Sequence, residues 1–350
     1  MLTEEEIKEL KNHLENAKNP IFLFDNDPDG LCSFILLRRY LGRGRGVAIK
    51  TIPDLDKSYF RKVEEFKADY IFVLDKPVIS EGFIELAEKQ GIPIVHIDHH
   101  NVPKTEKAYY YNTFYSSGKA EPVSYICYKV VGRKEDAWIA AIGCITDSFI
   151  PEFLEEVEAK YPGMIDAKYK TAFDILYNTI FGKICMIVSF GIKDRTSNII
   201  SLMKFLINCN NPREILEENS KTRVFLKRYQ EINRKYQAIL KKAEAHAKGK
   251  VLTFIYSGDL SINQYISNAL FYKYPDKLIL CFFIKGNIAN LSARWSKDVR
   301  TAVINAVKNI EGASAGGHEH AVGGRIPADK IQEFKKALLK EAEKIESQSS

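Results

Sequence analysis

Three aspartates crowd the segment Phe24-Asp25-Asn26-Asp27-Pro28-Asp29-Gly30, directly after the apolar run Ile21-Phe22-Leu23-Phe24. Like charges held this close raise one another's pKa and oppose folding unless a positive charge sits among them. Asp, Asn and Gly also build ordinary turns, so this segment alone leaves a solvated loop open. Two further apolar runs end the same way: Tyr70–Leu74 is followed by Asp75, and Ile92–Ile97 by Asp98, His99 and His100. A fourth apolar segment, Ala141–Thr146, leads into Asp147. Carboxylates joined by one or two imidazoles suit Mn²⁺ or an ion of similar mixed oxygen and nitrogen preference, such as Co²⁺. Mg²⁺ alone favours oxygen ligands. Two such ions about 3.5–4 Å apart are what phosphoester hydrolases use to hold the attacking and leaving oxygens. The reading is that divalent cations neutralise the acids at 25–29.

The elements that must position these residues follow from the pattern around them. The three apolar runs, each bounded by turn or helix signals, suit buried strands of a parallel sheet. Helix-like stretches at 30–41 and 80–90 separate them, so the chain reads as α/β with an open, mainly parallel N-terminal sheet and helices on both faces. In such sheets ligands bind beyond the carboxyl ends of the strands, which gathers the acids on one rim. The middle, 151–249, reads as helical, with 211–249 a charged amphipathic connecting helix between Pro212 and Gly249. Strand patterns return at 251–255 and 278–283. The expected organisation is a catalytic domain at 1–210 including extra helices, the connector at 211–249, and a smaller α/β domain at 250–346.

The 350 residues allow two domains, and the 45% hydrophobic and 27% charged shares are those of a globular protein. No apolar run approaches the ~20 residues that span a bilayer. The first 19 residues are polar, acidic and helix-patterned rather than a secretory signal. A cytoplasmic location without a membrane partner is expected. The six cysteines are scattered without a C-x-x-C pair, which points to reduced, buried thiols rather than a zinc cage or disulfide framework. The net charge of +6 is compatible with a polyanionic partner.

At this point the sequence resembles the DHH phosphoesterases, and within them the RecJ-like nucleases. Asp98-His99-His100 matches the DHH triplet. Asp25 to Gly30 matches the D-x-D-x-D-G motif, with Ser33 following. Asp75 matches the second-strand acid and Asp147 the fourth-motif acid. Ala315–Gly324 resembles the GGGHxxAAG signature of the DHH-associated C-terminal domain, and Ser292-Ala293-Arg294-Trp295-Ser296 resembles that domain's arginine motif. The resemblance implies two Mn²⁺ ions, with Mg²⁺ or Co²⁺ as substitutes. Asp25 and Asp27 would serve one ion and Asp29 the other; Asp75 would bridge them; His99 and Asp147 would be ligands. Asp98 would orient the histidines and His100 would touch substrate phosphate. In the second domain Arg294, Gly316, Gly317 and His318 would bind phosphate. Leu23 stands where many relatives carry a histidine, which favours the nuclease branch over pyrophosphatases. Ala315 and Val322 depart from the C-terminal signature. After the second domain only a helix is expected, without an added nucleic-acid-binding domain.

The implied activity is exonucleolytic hydrolysis of single-stranded DNA or RNA to 5′-mononucleotides by a water activated between the ions. Two rivals stand beside it: a phosphatase of short oligonucleotides, cyclic dinucleotides or phosphoadenosine phosphate, and a replication scaffold with a decayed site. A helicase or replisome partner and an oligomer fit the nuclease reading. Among the remaining residues, His96 is expected in the core, and His13 and His246 on polar helix faces. Arg38, Arg39, Arg43 and Arg45 read as a nucleic-acid patch or a solvated helix end. Tyr109–Tyr111 reads as core or an edge strand, and Trp295 as a lesser candidate for base stacking.

Overall fold

Each acid sits where an apolar run stops, and the computed structural model shows why. It describes residues 1–348 apart from 52, 53 and 167. The chain divides into two units, Met1–Glu231 and Ile232–Ser350.

In the first unit the strands are β1 (Pro20–Asp25), β2 (Arg45–Ile49), β3 (Asp54–Leu55), β4 (Tyr70–Leu74), β5 (Val78–Ile79), β6 (Ile94–Asp98) and β7 (Tyr109–Asn112). The main sheet has the order β2-β1-β4-β6-β7, and every pair in it is parallel. β3 and β5 form a separate two-stranded ribbon. The register sets Phe24 against Leu74 and Leu74 against Ile97. Asp25, Asp75 and Asp98 therefore emerge on one rim, as expected from the pattern. The chain moves outward from β1 to β2, then returns to the other side of β1 at β4. That reversal opens a crevice at the carboxyl ends of β1 and β4, the usual ligand position in open α/β sheets.

Both faces of this sheet are covered. Ile21, Leu23, Ile71 and Val73 pack with Phe60, Phe83 and Ile84 in one core. Phe22 and Phe24 alternate to the other face against Phe34, the rings of Phe24 and Phe34 stacking with centroids 5.2 Å apart. Phe34 belongs to the helix Pro28–Leu41, which starts on the Asp27 side chain as N-cap, has Pro28 at its first position, and stops at Gly42 in the left-handed region. β7 is an edge strand, with Tyr109 exposed and Tyr111 buried.

Between Val123 and Glu244 the described elements are helical. The expected connecting helix is shorter than 211–249: Pro212–Leu216 forms a separate 3-10 turn, closed by a capping box between Asn211 and Glu214. Thr222 and Asn219 then exchange bonds in a second turn before the helix Arg223–Glu244, which runs across the division between units. Side-chain caps that satisfy the backbone locally interrupt a helix that periodicity alone would continue. Among the described residues no single helix is long and apolar enough to cross a membrane; the pair Ala172–Asn178 and Ile180–Gly191 passes that test only together, bent by 87°.

The second unit contains β8 (Val251–Ser257), β9 (Leu278–Lys285), β10 (Ile288–Arg294), β11 (Ser314–His318) and β12 (Ala321–Pro327) in the order β11-β12-β10-β9-β8. β8 and β9 are parallel and the other pairs antiparallel. Leu278, Leu280, Phe282, Leu291 and Ala293 alternate onto one face, packed by the helices Val299–Val307 and Ile331–Gln348.

Candidate metal centre

The centre is built at the ends of β1, β4 and β6. The Asp75 amide donates to the Ile97 carbonyl at 3.0 Å, extending the β4–β6 ladder by one bond. Asp75 itself then adopts φ 58°, turning the chain sharply. Asp and Asn tolerate this left-handed conformation better than other side chains, but it stores strain of the kind found at functional sites. The turn aims the carboxylate at the crevice. Its Oδ1 lies 3.4 Å from His99 Nε2, and His99 Nδ1 lies 3.6 Å from Asp147 Oδ2. One imidazole thus stands between two acids, both of its nitrogens turned toward oxygen. Asp147 is delivered by the helix Ala137–Thr146, whose end it caps through its amide to the Gly143 carbonyl.

Burial first, then the charges of Asp27, Asp29, Asp25 and Asp147, push the Asp75 carboxyl well above the usual carboxylate range. Asp27 is raised by burial and by Asp25; it caps the following helix through Gly30 and shares a hydrogen bond with Asp75. Gly30 is required there: a Cβ would stand 2.7 Å from the Asp25 carbonyl oxygen. Asp29 is buried at the start of the helix Val123–Val131, accepting from the amides of Val123 at 2.7 Å and Ser124 at 3.0 Å and from the Ser124 hydroxyl. Burial and the Asp27 charge, opposed by these donors, bring it up to about 6. Asp29, His99 and Asp147 each offer a ligand atom within 4.8 Å of the others.

Asp98 and His100 form the neighbouring pair. His100 Nδ1 is 2.7 Å from Asp98 Oδ1, the His100 amide donates to Oδ2, and Asn112 Nδ2 bonds the His100 carbonyl at 2.9 Å. Burial alone lowers the His100 pKa, but the Asp98 charge and hydrogen bond raise it to about 9. Asp98 is held far below the usual range despite complete burial, because His100 neutralises it. His100 has its side chain 26% exposed at the crevice.

Asp25 has a partner besides those expected. Lys76 Nζ donates to Asp25 Oδ1 at 2.8 Å and to the Thr51 carbonyl at 2.6 Å. Besides any divalent cation, a lysine charge therefore sits against Asp25. The rest of the donor set, carboxylates and an imidazole whose charges repel when empty of cations, fits a divalent ion. Oδ1 of Asn26, between the first two acids, is also buried without a hydrogen-bond partner. These acidic and histidine groups could hold a metal ion.

The other predicted residues lie in the second unit. Arg294 on β10, Ala321 on β12 and His318 on β11 are register partners, so Arg294 and His318 share one rung and one face. Arg294 is buried, its Nε donating to Asn268 Oδ1 at 2.6 Å and Nη1 to the Ala293 carbonyl at 2.7 Å. Gly317 has φ 145°, and a Cβ would meet the Ala321 carbonyl oxygen at 2.4 Å. Gly316 faces open space. Trp295 is 3% exposed and offers no stacking platform. Of the arginines at 38–45, three are bonded internally, and Arg45 is exposed at the start of β2. Arg39 binds Asp136 and the carbonyls of Ile207 and Cys209, Arg38 the Gly44 carbonyl, and Arg43 those of Ala17 and Glu15, while Arg45 lies over the Phe66 ring. His96 is in the core, its Nε2 2.6 Å from the Lys76 carbonyl oxygen.

Residues 21–147 match the DHH family, N-terminal domain, and residues 257–344 match the DHHA1 domain. The chain belongs to the DHH family. No curated protein matches it. Among solved structures, the DHH-family chain is similar to RecJ in complex with Mn²⁺ from Thermus thermophilus: 16% identity, TM-score 0.65, 97% of this chain and 54% of that one. It thus spans about half the length of that relative. It is also similar to the DHH domain of a protein described as a member of a family of ribosomal proteins (17%, TM-score 0.68, 97% and 91%). A third likeness is to PggH, a pGpG-specific phosphodiesterase from Vibrio cholerae (15%, TM-score 0.51, 94% and 100%). At these identities the likeness is one of fold.

Two residues of this DHH site were missed by the sequence reading. Lys76 follows a strand-ending acid directly, a signal that was present but reads as an ordinary exposed lysine. Lys193 carries no motif. It lies after the helix Ile180–Gly191, donates to the Asn26 carbonyl at 3.3 Å, and its charge lowers the Asp27 pKa. Arg228 fixes it by donating to the Lys193 carbonyl from Nε at 2.9 Å and Nη2 at 2.7 Å.

Proposed function

We propose that this DHH-family phosphoesterase is a metal-dependent exonuclease that hydrolyses single-stranded DNA or RNA to 5′-mononucleotides. The observation that carries this reading is the Asp75–His99–Asp147 array at the β1/β4 crevice, fixed by the left-handed turn at Asp75. Asp25, Asp27, Asp29, Asp75, His99 and Asp147 would hold the ions, which when bound lower the pKa of a water and polarise the phosphoryl oxygens. His100, anchored by Asp98, would donate to a non-bridging phosphate oxygen. Lys193 adds positive charge at the same rim. Arg294 and His318, on one rung of the second unit, would receive a further phosphate, with the Gly316–Gly317 backbone close to it. A helicase or replisome partner fits this reading, as does an oligomer.

A second reading is hydrolysis of very short substrates, such as dinucleotides. What favours it is the likeness to a pGpG-specific phosphodiesterase over that protein's full length; a RecJ exonuclease chain bound to manganese is likewise covered to 92%. One experiment separates them. Labelled single-stranded DNA and RNA 20-mers and a labelled dinucleotide are incubated with the protein with and without Mn²⁺, and products are resolved by length. A mononucleotide ladder from the 20-mers that requires Mn²⁺ is expected. Cleavage of the dinucleotide alone transfers the protein to the second reading; cleavage of nothing supports a scaffold.

A further inference from the structure

Lys76 is an unusual residue to find beside a centre that binds cations. Its side chain is 1% exposed, so the ammonium has exchanged water for fixed partners. Those partners are one carboxylate oxygen of Asp25 and the Thr51 carbonyl. A buried ammonium is tolerated only when paired and hydrogen-bonded in this way. The backbone holds it there. Asp75 turns the chain through its left-handed conformation immediately before it, and His96 in β6 bonds the Lys76 carbonyl. The ammonium leaves only by giving up its bonds to Asp25 and the Thr51 carbonyl.

The ligand atoms tell the same story. Among the described residues of the first unit, the groups close enough to share an ion are Asp29 with His99 and Asp147, and Asp75 with Asp98 and His100. Asp25 and Asp27 are in neither, and of the two it is Asp25 that carries the Lys76 ammonium. A divalent ion drawn to Asp25 would lie against a fixed positive charge, which like-charge repulsion opposes.

We propose that the Lys76 ammonium is a built-in cation that competes for Asp25 with the ion Asp25 would serve, so that the centre holds one divalent ion tightly and a second only weakly. The tight ion is the one served by Asp29, His99 and Asp147, whose ligand atoms lie within 4.8 Å of one another, with Asp75 bridging to the second. This rests on the metal-dependent reading above and sharpens it: the second ion is exchangeable, and Lys76 sets its affinity as a positioning residue.

The test is Mn²⁺ binding to the full chain, followed by the free-ion paramagnetic resonance signal, without any assay of activity. Wild type is expected to bind one ion tightly and a second at least about 10-fold more weakly. Lys76→Met, similar in length but uncharged, is expected to tighten the second ion about 10-fold. Asp25→Asn is expected to leave the tight ion within about twofold of wild type, whereas Asp75→Asn loses it. Two ions of equal affinity in wild type, or loss of the tight ion in Asp25→Asn, overturns the proposal. If Lys76→Met does not fold by circular dichroism, the Asp25→Asn arm decides. No Mn²⁺ bound by folded wild type overturns the metal-dependent reading itself, and this proposal with it.

Discussion

The two sheets of this protein bury polar residues to opposite effect. In the second unit the polar side chains under the helix Asn263–Lys273 close on one another: Ser267 with Ser292 at 2.8 Å, Arg294 with Asn268 at 2.6 Å, and Asn263 with the Asn290 carbonyl at 3.1 Å. These bonds are all made within the second unit. At the rim of the first sheet, Asp27, Asp29 and Asp75 are gathered with their carboxyl pKa values driven upward by burial and by one another. That region is left with repulsion, which a bound cation would relieve. The contrast separates polar groups that hold a fold together from polar groups that the fold holds against their own preference.

Three measurements break or sharpen this contrast. The largest effect is expected at Asp75. Asparagine keeps the shape and tolerates the left-handed backbone but removes the charge, so Asp75→Asn should lower phosphodiesterase activity by more than about 10²-fold, beyond what removal of an outer partner costs. Because the folded-state pKa is raised, the ionised carboxylate destabilises the fold above its unfolded pKa. The same variant should therefore raise the metal-free melting temperature at neutral pH, by about 2–4 °C for each kcal/mol recovered. A lower metal-free melting temperature would show that the rim is not under repulsion. Next comes Arg294→Lys, which keeps the charge and loses the Nε bond to Asn268. A buried acceptor left unpaired costs about 1–3 kcal/mol, so the second unit should melt at lower temperature with or without Mn²⁺. Stability unchanged would mean that its network is not structural. The smallest effect is expected for Lys193→Ala: KM for single-stranded oligonucleotides rising about 3–10-fold and the salt slope falling by about one, with Mn²⁺ affinity little changed. An unchanged salt slope would remove Lys193 from the substrate path.

The sequence showed the site more clearly than it showed the sheets. β1, β4 and β6 are apolar up to the acids that follow them, His96 in β6 excepted, because both faces are covered, and those acids mark the rim. β2, Arg-Gly-Val-Ala-Ile, and the edge strand β7 are only partly buried and carry polar or aromatic residues, so no continuous run announces them. β11 and β12 contain Gly316, Gly317, Gly323 and Gly324, which read as turns and pair as strands because a hairpin brings the backbones close. Three of the arginines at 38–45 misled for another reason. A guanidinium has five donors, and a helix end close to several open carbonyls uses them for internal bonding as readily as for a phosphate. Lys76 was hidden because a lysine beyond a strand is ordinarily solvated; only the turn at Asp75 sends this one inward.

Arg39 sets the size of the piece that can be moved as a unit. The stretch matching the DHH N-terminal domain stops at 147. Yet Arg39, in the first helix of that stretch, donates to the carbonyls of Ile207 and Cys209 and pairs with Asp136, which is 0% exposed. A chain cut after Asp147 would keep every carboxylate and imidazole of the centre. It would also strip the guanidinium of its far partners, remove Lys193 and Arg228, and lay open the apolar surface that Phe181, Ile184, Ile187 and Val188 bury. For grafting or domain exchange, the transferable module is therefore not the motif-bearing segment but a stretch reaching at least to Arg228.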